Sequence, residues 1–301
     1  MKILKYYLSL IRISHLLFSL PFCLIGIIQG YLNRTNYKSV YLLSLLTIIC
    51  LFLARSAALI FNRIIDKNID ALNPRTANRE IPSGKISVKF AYLLLFLNIF
   101  SFIFVSYFIN KTVFYLSPIA ILFVLFYSYT KRFTYFSHLL LGISFSLSVV
   151  GSYLVFSEKI NNQILIITLM VIFWVTGFDI LYSLQDFDFD LKYKLYSLPA
   201  KFGLKKSKII AFISHLISIT LSFLYGIFFS LSFFYWIGFV LFSFFLLFQH
   251  YKIFSLSKEE LNKVNYYFTK YNILAAVLFS IFYLFDFIFY ELFFCDFLIC
   301  G

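Results

Sequence analysis

Residues 209–251 read IIAFISHLISITLSFLYGIFFSLSFFYWIGFVLFSFFLLFQHY, 43 residues in a row without Asp, Glu, Lys or Arg. As helix the run would be roughly 64 Å long at about 1.5 Å per residue, enough to cross a hydrocarbon core of about 30 Å twice. Ser230-Leu231-Ser232 is the natural break. The same freedom from charge holds over 13–33, 39–54, 90–110, 112–130, 133–157, 160–178 and 271–285, so the chain reads as about nine spans. Apolar residues make up 62% of the 301 and charged residues 13%, and the mean hydropathy is +0.90. No ordinary soluble domain has that balance. An outer-membrane barrel would alternate apolar and polar residues, whereas these runs are continuous. The expected fold is all-α: a polytopic membrane helix bundle, one integral-membrane domain over 1–301. The amino-terminal run is too long for a signal peptide and lacks a small-residue cleavage pattern, so it reads as the first retained span.

The net charge of +13 could point to nucleic acid, but its distribution argues against that. With a cytoplasmic amino terminus and nine crossings, 22 of the 26 Lys and Arg fall on the inner side. Only Arg34, Lys38, Lys111 and Lys159 fall outside. This is the positive-inside bias, and basic residues on that face also hold anionic lipid and anionic substrates. The long polar connections, about 66–88, 130–137, 184–208 and 252–270, lie on the same side, which places the functional face there. The expected partners are membrane lipid and small anionic substrates, with no nucleic acid and no obligate protein partner.

Of 13 acidic residues, seven lie in or beside two stretches at the inner ends of spans two and six. Carboxylates gather at the edge of hydrocarbon only where their desolvation is compensated. In the first stretch Asn62, Asp66 and Asp70 are spaced four apart. On a helix each drifts only about 40° from the last, so three oxygen-bearing side chains share one stripe, with Arg55 within about 20° of it. Oxygen ligands with gaps for water suit Mg²⁺, and the absence of His and Cys argues against Zn²⁺. The stretch continues as ALNPRTANREIPSG, 71–84, whose turn residues hold Arg75 and Arg79 over the stripe. Arginine suits the bidentate grip of phosphate.

The second stretch carries Asp179, Asp186 and Asp190, spaced seven and four apart, within about 40° of arc on a regular helix. Asp188 falls about 200° from Asp186 and reads as a solvated bystander, unless the helix unwinds near Gln185. Between the stretches, Tyr127-Ser128-Tyr129-Thr130-Lys131-Arg132 ends span four. Such a pair can merely anchor a helix at the interface. Here two acidic faces need a cationic lid. The motifs stand four spans apart, consistent with two four-helix halves plus a ninth helix. Ionisable residues in spans can also mark ion paths, but transporters place them nearer the midplane.

Taken together these residues resemble the UbiA superfamily of membrane prenyltransferases. Its NDxxDxxxD signature is matched by Asn62, Asp66 and Asp70, with Arg63 in place of the usual acidic second residue. Its YxxQDxxxD form is matched by Tyr182, Gln185, Asp186 and Asp190. The segments NPRTANREIPSG and LYSLPAKFG look most like the 4-hydroxybenzoate polyprenyltransferases. Menaquinone-pathway members share the motifs, and Arg63 leans toward them. The resemblance implies transfer of a polyprenyl chain from polyprenyl diphosphate to an aromatic acid in quinone biosynthesis. It further implies Mg²⁺ on Asn62, Asp66, Asp186 and Asp190, and a bacterial inner (cytoplasmic) membrane with the site facing the cytoplasm. The catalytic set would be Asp66, Asp70, Asp186, Asp190, Lys131 and Arg132. Arg55, Arg75, Arg79, Tyr127, Asp179, Tyr182 and Gln185 would bind substrate, with Arg55 on the aromatic carboxylate.

The other polar groups are expected to be inert. His15, His138, His215 and His250 show no ligand spacing and read as satisfied core or interface residues. Cys23, Cys50, Cys295 and Cys300 form no CxxC pair, although the last two fall on the outer side, where a disulfide is chemically feasible. Asp286, Glu291 and Asp296 read as interface residues without a role.

Overall fold

The computed structural model describes residues 2–12, 16–36 and 38–291, which fold as helices with no strand among them. His15, Cys295, Asp296 and Cys300 lie outside the described residues. A short α1 (Lys2–Leu10) precedes α2 (Leu16–Leu32) and α3 (Val40–Ile65). There follow α4 (Lys67–Leu72), α5 (Val88–Ile109), α6 (Lys111–Thr130), α7 (Ser137–Leu154) and α8 (Asn162–Ser183). A 3₁₀ turn, Leu184–Asp186, leads into α9 (Phe187–Lys192), and α10 (Leu198–Phe228), α11 (Phe233–Phe254) and α12 (Val264–Tyr290) complete the bundle. Among the described residues eight helices are long and apolar enough to cross a membrane, and α2, at 17 residues, is a shorter apolar helix beside them. This is a multi-pass membrane protein; of the nine spans expected, eight reach spanning length among the described residues and α2 is the shorter ninth.

The opening 43-residue run divides where expected. Between α10 and α11 the chain turns through Phe229–Ser232, with Ser230 in the left-handed region at φ 49°. The first turn of α11 is capped from another helix: Asp286 Oδ1 accepts from Ser232 N at 2.8 Å and from Tyr235 N at 3.3 Å. Asp286, 7% exposed, therefore has a role that the sequence reading denied it. Away from water a bare helix end is expensive, so such caps recur. Asn110 Oδ1 accepts from Val113 N while its amide donates to Leu154 O, both at 2.8 Å, joining the start of α6 to the end of α7.

The spans close into a ring. α3 packs along α5 and α6, α6 along α7, α7 along α8, α8 along α10 and α11 along α12, while α2 lies against both α7 and α12. The α2–α7 crossing depends on Gly26, where a Cβ would stand 2.5 Å from Val149 O. Small residues at crossings allow the close approach on which membrane packing relies. The buried core around Phe22, Trp174, Phe178 and Phe279 fills the space between α2, α8 and α12. The outer face of α5 instead presents Phe96, Phe100 and Phe104, each more than half exposed, a surface suited to lipid and not to water. α1 docks through Leu10 and Ile11 onto Ala57, Ile60 and Ile64 of α3, next to the acidic end of the bundle.

Candidate active site

Both acidic motifs and the intervening basic pair sit at one end of the ring. At Asp66 the chain passes from α3 to α4 with φ −87° and ψ 2°, yet Asp66 N still reaches Asn62 O (2.9 Å) and Asp70 N reaches Asp66 O (2.7 Å). The stripe expected from the sequence is therefore kept. Asp66 is 1% exposed, and its carboxylate is paired with Lys131 Nζ and with Arg132 Nη2, the latter at 3.0 Å. Asp70 is held by Arg79 Nη1, at 2.7 and 2.8 Å from its two oxygens. Arg63, which stands where an acid is usual, lies 3.9 Å from the same carboxylate.

The loop after α4 does more than cover its own stripe. Arg75 crosses to the second motif, with Nε 3.0 Å and Nη2 2.6 Å from the two Asp186 oxygens and Nη1 donating to Tyr182 Oη at 3.0 Å. Asn73 Nδ2 joins it on Asp186 at 3.0 Å. Burial works against the Arg75 charge, but Tyr182 and Asp186 outweigh it and raise its pKa above the ordinary arginine value. One loop thus binds the two motifs together through charge-assisted, bidentate contacts.

The helix does tighten at Leu184–Asp186, so a regular helical phase does not carry through Gln185. Asp188 nonetheless points outward and pairs with Lys258 at 2.7 Å, both at least half exposed. Asp190 is buried and bonded to the Ser197 hydroxyl. The Gln185 amide donates to Tyr182 O at 2.8 Å, inside the tightened turn, and so serves the end of the helix.

Below this polar end lies a cavity of about 360 Å³. At the motif end it is lined by Arg12, Asn62, Arg63, Arg79, Asp179 and Tyr182, and it runs to Ile109, Val113, Leu154 and Val155 at the far end of the bundle. Arg55 and Tyr127 line it in between. Arg55 Nη1 donates to Ser19 Oγ (3.3 Å) and its guanidinium stands 5.6 Å over the Phe145 ring, but its Nε has no partner among the described residues. Burying a cation with an unpaired donor is costly. Asp66, Asp70, Asp186 and Asp190 do not line the cavity themselves; Lys131, Arg132, Arg79 and Arg75 cover the first three.

Among the described residues no three His, Cys, Asp or Glu side chains form a ready-made metal cage. The expected set of Asn62, Asp66, Asp186 and Asp190 is thus divided between two motifs, with Asp66 paired to Lys131 and Arg132 and Asp186 to Arg75. The donor chemistry still fits Mg²⁺. All the donors are oxygens, and Mg²⁺ is ordinarily held by one or two carboxylates, with waters and substrate phosphates completing its shell.

Three site residues escaped the sequence reading. Arg12 reaches the cavity from the end of α1 with φ 42°, a strained value for arginine. Asn73 looked like turn chemistry alone. His138 looked inert, but its Nδ1 lies 2.7 Å from Asp179 Oδ2. His215 and His250 do pair, Nδ1 to Nε2 at 2.8 Å, deep between α10 and α11 and away from the site.

Residues 19–274 match the UbiA prenyltransferase family. The chain belongs to that family. Among UbiA relatives, the 4-hydroxybenzoate octaprenyltransferase of Legionella pneumophila (strain Lens) is 28% identical over 181 residues, 60% of this chain and 64% of that one. The enzyme of the same name from Vibrio cholerae serotype O1 is 32% identical over 159 residues, 53% and 56% of the two chains. The matched region therefore spans less than two thirds of these relatives' lengths. The apo structure of a UbiA homologue from Aeropyrum pernix K1 superposes with a TM-score of 0.80 at 25% identity, covering 90% of this chain and 98% of that one. A UbiA homologue from Archaeoglobus fulgidus, solved with GPP and Mg²⁺, shares the fold at a TM-score of 0.66 and 17% identity, over 91% and 99% of the chains.

Proposed function

We propose that this UbiA-family protein transfers a polyprenyl group from polyprenyl diphosphate to an aromatic acid of the 4-hydroxybenzoate type. The observation that carries the reading is the partnerless Nε of Arg55, buried in an apolar cavity whose mouth holds two ion-paired acidic motifs. Arg55 suits the carboxylate of an aromatic acid and the apolar wall suits an isoprenoid tail. Arg75, Arg79, Lys131 and Arg132 suit the diphosphate. As the C–O bond breaks, those four cations stabilise the charge gathering on the leaving group. Tyr127 and Tyr182 offer ring faces to the allylic cation. The apolar wall of the bundle keeps water from it. Bound at the carboxylates, Mg²⁺ would neutralise the diphosphate and improve it as a leaving group.

The names of the Legionella and Vibrio relatives support this acceptor, and a place in quinone synthesis is what the resemblance of the motifs implies. Arg63, buried beside Asp70, favours a second reading in which a menaquinone-pathway acid is the acceptor. The bias of basic residues supports a bacterial inner membrane with the site on the cytoplasmic side. The deciding experiment incubates membranes carrying the protein with geranyl diphosphate, Mg²⁺ and a panel of aromatic acids, followed by mass spectrometry. Prenylated 4-hydroxybenzoate is the expected product. A different prenylated acid selects the second reading, and no prenylated acid at all removes both.

A further inference from the structure

Asp179 and His138 form a couple at the cavity wall that binding of diphosphate leaves unused. Asp179 lies on α8, lines the same cavity as Arg55, and has a side chain 25% exposed. His138, near the start of α7, is 4% exposed and has both ring nitrogens engaged. The N–H of Leu198 donates to Nε2 at 3.3 Å, so that nitrogen is the acceptor of a neutral imidazole. The ring proton then resides on Nδ1, which donates to Asp179 Oδ2 at 2.7 Å. Leu198 opens α10 directly after Ser197, the partner of Asp190. The imidazole is therefore fixed from behind by the segment that also supports the second motif.

We propose that His138 is a positioning residue for Asp179: it occupies Oδ2 and fixes the carboxylate so that Oδ1 accepts the ring proton lost by the aromatic acceptor. The inference rests on the proposed transfer to an aromatic acid. The geometry on the acceptor side agrees with it. Arg55 stands over the Phe145 ring, and Phe145 meets Phe178, the residue before Asp179, with centroids 6.3 Å apart. Arg55, Phe145, Phe178 and Asp179 line the same cavity, so an acid anchored by Arg55 shares that space with the Asp179 carboxylate. In the step itself the allylic C–O bond breaks with its electron pair going to the diphosphate. Ring π electrons form the new C–C bond. The ring C–H bond then breaks, its electrons restore aromaticity, and the proton passes to Asp179 and on to water at the cavity mouth. His138 Nε2 is taken by Leu198, so the imidazole orients the base and does not relay the proton.

The test compares the parent with His138→Leu, His138→Gln and Asp179→Asn in membranes, using geranyl diphosphate and an acceptor carrying either hydrogen or deuterium on the ring. His138→Leu is expected to lower kcat by about 10- to 100-fold, the effect of a misoriented reacting group, with KM for the diphosphate unchanged. Asp179→Asn is expected to lose roughly 100-fold or more, as for removal of a general base. In both, ring deuteration slows turnover more than in the parent, because C–H cleavage has become limiting. His138→Gln can donate to Asp179 and accept from Leu198, and recovers most of the rate. Parent-like kcat in His138→Leu overturns the proposal. So does a loss that shows no added isotope effect and is not recovered by Gln, which would mark a purely structural histidine. If the parent itself prenylates no aromatic acid, the inference falls together with the function; if the parent works and only the couple proves silent, the function stands alone.

Discussion

Arg55→Met separates binding from stability, because the two should move in opposite directions. The guanidinium is buried, its Nε has no partner, and its recorded polar contact is a 3.3 Å bond to Ser19. Within the chain this is an uncompensated cost. A carboxylate placed against it would gain a charge-assisted hydrogen bond in a poorly solvated site, worth about 1.5–3 kcal/mol. At 1.4 kcal/mol per decade, losing that contact raises KM for the aromatic acid roughly 10- to 100-fold. KM for the diphosphate should stay put, since Arg75, Arg79, Lys131 and Arg132 are untouched. Met keeps much of the length of the stem without the charge, so thermal unfolding in detergent should occur no earlier than in the parent. The assay is steady-state prenyl transfer with each substrate varied in turn, alongside a melting curve. An unchanged KM for the acid refutes the assigned role of Arg55, and a lower melting temperature refutes the claim that its burial is uncompensated.

Asp66→Ala and Asp186→Ala should each abolish transfer of a labelled prenyl chain, and EDTA should abolish it in the parent, whereas Asp188→Ala, which breaks only an exposed pair with Lys258, should remain near parental activity. Full activity in both of the first two variants would remove the acidic motifs from the mechanism. At Gly151 nothing lies within 4 Å of the place a Cβ would take, and the residue lines the cavity. Gly151→Leu should therefore fold while shortening the space for a tail, so that transfer from long polyprenyl donors falls and transfer from geranyl diphosphate persists. Equal loss with both donors would place the tail elsewhere.

Apolar runs in the sequence located the spans because hydrocarbon imposes a length and tolerates few charges. The break at Phe229–Ser232 was visible for the same reason. Asn62, Asp66 and Asp70 were legible as a stripe because four-residue spacing survives the small irregularity at Asp66. What could not be read depends on partners distant in the chain. Asp286 caps a helix that starts 54 residues earlier at Ser232, and no local pattern records that. His138 meets Asp179 across 41 residues, through the packing of α7 on α8. Arg75 looked like a lid for the first motif but reaches 111 residues ahead to Asp186, because the path of the loop is fixed by the bundle beneath it. The outward face of Asp188 was read correctly from a helical phase that the 3₁₀ turn interrupts, so agreement there does not validate the phase.

The balance of charge at the mouth explains what Arg63 contributes. Asp66, Asp70, Glu80, Asp179, Asp186 and Asp190 face Arg12, Arg55, Arg63, Arg75, Arg79, Lys131 and Arg132 across this end of the bundle and its cavity. Cations exceed carboxylates, so the site attracts anions even with Asp66, Asp70 and Asp186 already ion-paired. An acid at position 63, the common choice in this motif, would erase that excess by removing one cation and adding one anion. Arg63→Asp should therefore weaken binding of the diphosphate donor in the absence of metal, with the loss growing as ionic strength falls. It should also reduce the Mg²⁺ concentration needed for half-maximal transfer, because a new carboxylate beside Asp70 offers the cation another oxygen. Donor binding by equilibrium titration at two salt concentrations, and a Mg²⁺ titration of turnover, separate the two effects. If neither moves, the excess of positive charge at the mouth has no part in capturing the substrate.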